Sequence, residues 1–112
     1  TAKAMSRSRR YVYCIFMCHL ALEKALKGLY WERRRQFPPK SHNLLFFVKQ
    51  LSLKMPQHLL DFLGKINDAS VVTRYPEDLR KVIKAYPRHV TKQYLEQTEK
   101  GLRWIKSKLT AS

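Results

Sequence analysis

The sequence predicts an all-α fold, an up-and-down bundle of four main helices with short extra helices and short connections between them. Three observations predict it. Apolar residues recur at alternating intervals of three and four along the long segments, the period of one helix face. No pair of segments alternates in the way two strands would. The five prolines all fall where a helix can begin or end. With 112 residues, 45% of them hydrophobic, the chain is expected to make one domain over residues 1–112 with an ordinary core. No apolar run approaches the roughly 18 residues that a membrane span needs.

Taken in order, Thr1 to Ser8 read as the tail of a preceding helix, with Ser6 and Ser8 in the turn. The first residue is Thr1 and not Met, so the N-terminal part of that first helix is expected to be missing. From Arg9 to Arg35 a helix of about 40 Å follows, at 1.5 Å per residue. Val12, Ile15, His19, Leu22, Leu26 and Leu29 form its stripe, and Tyr13, Phe16, Met17 and Leu20 make its first half apolar on a second side. Such a helix is central to a fold or to a dimer seam. Pro38 and Pro39 then break it, because neither has an amide hydrogen and each pushes its predecessor out of the α region.

Ser41 is the expected cap of the next helix, which carries Leu44, Val48 and Leu51 on one face. Pro56 suits the first turn of a third, with Leu59, Phe62, Leu63 and Ile66 as its stripe. Val71 to Tyr75 is short and β-branched and reads as an extended connection. Pro76, followed by Glu77 and Asp78, resembles a helix start, where acids favour the positive end of the macrodipole. Pro87 opens the last helix, whose stripe is Leu95, Thr98, Leu102, Ile105 and Leu109.

The 23 basic residues outnumber the 8 acidic ones, a formal charge of +15. The excess sits at both ends of the sequence: residues 1–40 carry +8, residues 41–70 only +1, and residues 71–112 +6. This field favours an acidic partner, whether a nucleotide, RNA, an anionic surface or an acidic protein.

Cys14 and Cys18, the two cysteines, lie one helical turn apart with parallel Cβ vectors, a poor disulfide geometry. They read as buried thiols, and His19 beside them as a core histidine. With no leader segment in view, a cytoplasmic location is expected.

Catalytic signals are sparse. No Ser or Cys sits in a nucleophile elbow, and Gly28, Gly64 and Gly101 are too scattered for a phosphate loop. Glu96 and Glu99 read as a solvated face. No metal site or cofactor is expected. The basic clusters say more. Arg33, Arg34 and Arg35 end the long helix, where cations offset the macrodipole as readily as they bind an anion. Lys24 and Lys27 lie close on one helix, and Glu23 can pair with Lys27 at i+4. Arg74 and Tyr75 place a guanidinium beside an aromatic plane, a combination that can hold phosphate and stack on a base.

Four blocks, in this order, carry a resemblance: Tyr11 through Gly28 with its Ala-Leu-Glu-Lys-Ala-Leu-Lys run, Pro38-Pro39-Lys40-Ser41-His42-Asn43-Leu44, Thr73-Arg74-Tyr75-Pro76, and Trp104-Ile105-Lys106. Together they resemble the HEPN domain family, in the small prokaryotic form associated with minimal nucleotidyltransferases. The resemblance implies an up-and-down helical bundle that pairs into a homodimer, with Thr1 to Ser8 as the end of the family's first helix. It also implies a nucleotidyltransferase partner in a toxin–antitoxin-like pair. Many members are metal-independent ribonucleases that use an Arg, four to six residues, then a His on a late helix. Here Arg80 and His89 have eight residues between them and Arg88 adjoins His89. Arg35 and His42 have six between them but flank the double-proline connection, away from the family's catalytic location. No catalytic residue is therefore assigned, with His42 and His89 the remaining candidates for a base.

The expected function is thus a homodimer that partners a nucleotidyltransferase and binds nucleotide or RNA in a basic cleft between subunits, through Lys24, Lys27, His42, Arg74 and Tyr75. The alternatives are a metal-independent ribonuclease toxin and a plain RNA-binding helical module.

Overall fold

A computed structural model describes residues 2–72 and 88–109, and the side chains within residues 12–69 and 91–109. Four helices occur among the described residues: α1 (Ala2–Arg34), α2 (Leu44–Gln50), α3 (Gln57–Val72) and α4 (Arg88–Lys108). They contain no strand, as the spacing of the apolar residues predicts.

α1 is the element against which all the others pack, with α4 as its main neighbour. Ile15, Leu22, Leu26 and Leu29 are fully buried along one side of it, joined by Cys14 and Cys18. α2 adds Leu44, Phe47 and Val48, α3 adds Leu59, Phe62, Leu63 and Ile66, and α4 adds Ile105. Each such side chain contributes about 1.5–3 kcal/mol through the apolar surface it removes from water. α4 approaches α1 closely at Gly101, where an added Cβ would lie 3.2 Å from Leu22 Cδ2. The stripe expected on α4 is only partly realised: Thr98 and Ile105 are buried, but Leu95 is exposed.

The first helix departs from expectation at its start. α1 runs unbroken from Ala2 through Ser6 and Ser8, so residues 2–8 are its first turns and neither serine lies in a turn. No Gly or Pro occurs there, and a helical Ser costs only about 0.5 kcal/mol relative to Ala. At the other end, Arg35 takes a left-handed conformation, φ 52°, while its N–H still donates to the Trp31 carbonyl at 2.8 Å. This is the single-bond cap that reverses a chain, and Pro38 and Pro39 prevent the helix from resuming.

α2 is capped by Asn43 and not by Ser41. The Asn43 side chain accepts from the Leu45 N–H at 3.1 Å, and its Oδ1 also accepts from Asn67 Nδ2 at 2.8 Å. Asn67 Oδ1 in turn accepts from the Leu44 N–H at 3.1 Å. The two asparagines satisfy orphan amides at the start of α2 and tie it to α3, which a cap at Ser41 could not do. Ser41 instead accepts from the Asn43 N–H at 3.2 Å. Pro56 stands just before α3, its carbonyl accepting from the Leu59 and Leu60 amides. At the far end, Val71 and Val72 belong to α3 and not to an extended connection, since β-branching lowers helix propensity by only about 0.5 kcal/mol. Thr73, Arg74, Tyr75, the expected helix start at Pro76, and Pro87 lie outside the described residues.

Candidate functional site

The reversal at Arg35 and the double proline bring the following segment back alongside α1. His42 Nδ1 lies 2.6 Å from Glu23 Oε1. One turn along α1, Lys27 Nζ lies 3.6 Å from Glu23 Oε2. Lys27 also stands 5.9 Å from the centre of the Phe47 ring, within the range of a cation–π contact. Glu23 is 7% exposed, and two cationic or polar partners answer its desolvation. A carboxylate oxygen accepts, so in this contact the donor is Nδ1–H of His42, and in that tautomer Nε2 is the ring's acceptor. Most of the imidazole is exposed.

Two of the five expected binding residues, Lys27 and His42, thus meet on one carboxylate. Lys24 is exposed on the neighbouring surface of α1. Arg74 and Tyr75 lie outside the described residues, and so do the side chains of Arg80, Arg88 and His89. The pair Glu23 and Lys27, readable as a solvated i,i+4 bridge, is largely withdrawn from water. Glu23's tie to His42 had no signal in the sequence, because 19 residues separate them and only the turn between sets their distance.

The three arginines at the end of α1 divide in role. Arg34 Nη2 donates to the Gln50 carbonyl at 2.5 Å, satisfying a carbonyl at the C-terminal end of α2. Arg33 and Arg35 are exposed. Among them sits an aromatic pair the sequence reading passed over: Trp31 and Phe37, ring centroids 5.4 Å apart and planes inclined by 40°. Phe37 is 87% exposed.

The side of α1 facing away from the core is also apolar. Tyr13 is 67% and Phe16 58% exposed, and Met17 stands with them. At 100° per residue these positions lie opposite Ile15, Leu22, Leu26 and Leu29. Farther along the same side come Lys24, Lys27 and then Trp31. A helix that buries one face and exposes an apolar cluster on the opposite one has a second surface to cover.

The cysteines are buried, as their spacing implied, with their sulfurs 4.0 Å apart. Cys14 Sγ donates to the Thr91 carbonyl at 3.8 Å and Cys18 Sγ to the Tyr94 carbonyl at 3.9 Å, so both thiols link α1 to α4. Burial, reinforced by Cys18, pushes the Cys14 thiol up to about 12, which suppresses its nucleophilic thiolate. His19 is half-buried. Among the described residues no three His, Cys, Asp or Glu side chains gather as metal ligands, and no helix is long and apolar enough to cross a membrane.

Comparison with known proteins gives one family match: the HEPN domain model covers residues 1–108. No curated protein and no solved structure shows significant similarity to the chain. A match over nearly the whole length, on an all-helical bundle, agrees with the four sequence blocks, and the chain belongs to the HEPN domain family.

Proposed function

We propose that this HEPN protein acts as a homodimer, paired through the outward side of α1, that partners a minimal nucleotidyltransferase in a toxin–antitoxin-like pair. Nucleotide or RNA binds in the basic cleft between subunits, through Lys24, Lys27, His42, Arg74 and Tyr75. The observation that carries this reading is the exposed cluster of Tyr13, Phe16 and Met17 opposite the core, continued on the same side by Lys24 and Lys27. Pairing two such surfaces buries the aromatics and sets two basic stretches close together, where an anion is attracted by both.

Co-expression with the nucleotidyltransferase encoded beside it tests the partnership. A complex that survives purification supports it, and separate elution of two folded proteins contradicts it. Binding is tested by titrating RNA at rising salt, because phosphate contacts release counterions and the affinity must fall steeply. Arg74→Ala is expected to weaken binding more than Lys54→Ala, which removes an exposed charge elsewhere. Equal losses would mean a diffuse field and no site.

A second reading, the metal-independent ribonuclease, is favoured by the Glu23–His42 hydrogen bond. A carboxylate that holds Nδ1 orients an imidazole whose Nε2 is able to take a 2′-hydroxyl proton. Incubating purified protein with RNA in chelator separates the two readings. Cleavage lost in His42→Ala or His89→Ala identifies an enzyme and its base, whereas intact RNA supports the binding protein.

A further inference from the structure

The aromatic pair at the end of α1 has no work in the core. Phe37 stands almost wholly in solvent, one side against Trp31, itself exposed. Its position is nonetheless constrained. Arg35 reverses the chain with a left-handed φ and a hydrogen bond back to the Trp31 carbonyl. Pro38 and Pro39 have φ fixed by their rings, and the Ser41 N–H closes on the Pro39 carbonyl at 2.8 Å. An exposed ring held between a helix cap and two prolines loses little conformational freedom when something stacks on it.

The electrostatic surroundings are mainly basic. Arg33, Arg35 and Lys40 are exposed within four residues of Phe37, and Lys24 lies on the same side of α1 as Trp31. Glu32, half-buried next to Trp31, is the one carboxylate near in sequence, and no other acidic residue follows until Asp61. Arg34 is occupied by the Gln50 carbonyl and serves the scaffold. Planar apolar rings beside exposed cations complement a chain of planar bases joined by phosphates.

From this arrangement we infer that Trp31 and Phe37 form a stacking platform for a base of single-stranded RNA, with Arg35 and Lys40, on the same connection as Phe37, holding the adjoining phosphates. The inference deepens the RNA-binding part of the function proposed above by naming a single-stranded substrate and the rings that hold it. It does not require the dimer. Stacking tolerates any base, because every base offers a π face, so the platform gives affinity for unpaired RNA without a fixed sequence.

The test uses the full chain carrying Trp104→Phe, which leaves Trp31 as the single tryptophan. It is titrated with oligoadenylate of about ten nucleotides, a length within the usual range of single-strand sites, and in parallel with inorganic polyphosphate. Oligoadenylate is expected to quench the Trp31 emission, and Phe37→Ala to weaken oligoadenylate binding about tenfold while leaving polyphosphate binding unchanged. Phe37→Tyr, which keeps the ring, is expected to restore the affinity. Because Phe37 is so exposed, neither variant removes a core contact. Equal weakening for both polyanions, or no effect of Phe37→Ala on either, overturns the platform while leaving a basic RNA-binding surface in place. Failure of both polyanions to bind overturns the nucleic-acid reading altogether. A fall in molecular mass in Phe37→Ala, with oligoadenylate affinity unchanged, assigns the pair to a protein interface and likewise overturns it.

Discussion

The two sides of α1 use similar residues to different ends. On one side Ile15, Leu22, Leu26 and Leu29 are fully buried against α2, α3 and α4. On the other, Tyr13, Phe16 and Met17 also present mostly apolar surface and yet are exposed. The inward side is aliphatic, and it packs closely enough against α4 that a Cβ at Gly101 would lie 3.2 Å from Leu22 Cδ2. The outward side is aromatic near the start and basic with a further aromatic near the end. Hydrophobicity alone therefore does not identify a core residue on this helix. On the first half of this helix the branched side chains face the core, and the rings of Tyr13 and Phe16 stand outside it.

Removing packing from the inward side gives the largest expected effect. Leu22→Ala deletes a fully buried side chain that faces Gly101 of α4, and should lower unfolding stability in urea by about 2–5 kcal/mol. A loss below about 1 kcal/mol would mean that the α1–α4 contact is not the centre of the core. On the outward side, Phe16→Glu should leave the subunit's own packing intact while placing a charge in the proposed seam. The expected result is weakened self-association, read as a melting temperature that no longer rises with protein concentration. If the variant instead unfolds at every concentration, Phe16 is a core residue and the contrast between the two sides fails.

This contrast was half legible in the sequence. The inward stripe follows from intervals of three and four, and the rings beside it mark a second apolar side in the sequence itself. Caps and turns were less legible. Ser41 and Asn43 are both good capping residues, and the choice fell to Asn43 because Asn67, on a different helix, bonds to the same side chain. Val71 and Val72 looked extended because β-branching is a weak local preference, here overridden by the preceding turns of α3. The tie between Glu23 and His42 depends on how the double-proline connection turns. Phe37 was illegible as a surface ring because an aromatic beside prolines reads equally well as a buried anchor.

A smaller effect checks the inward side by chemistry. The Cys14 thiol, raised by burial from 9.0 to about 12, binds its proton more tightly folded than unfolded. Its contribution to stability should hold below pH 9 and fall between pH 9 and 12, as the unfolded chain ionises first. Near neutral pH, iodoacetamide should modify the folded protein's two thiols far more slowly than those of the protein in denaturant. Equal rates would place Cys14 at an accessible surface.

The central claim, that the outward side of α1 is covered by a second copy of the chain, is tested most directly by light scattering of the purified protein over the micromolar range. The account predicts a mass of about twice 13.4 kDa. A mass of 13.4 kDa at every concentration in that range would contradict it, leaving Tyr13, Phe16 and Met17 exposed and no cleft between subunits to bind RNA.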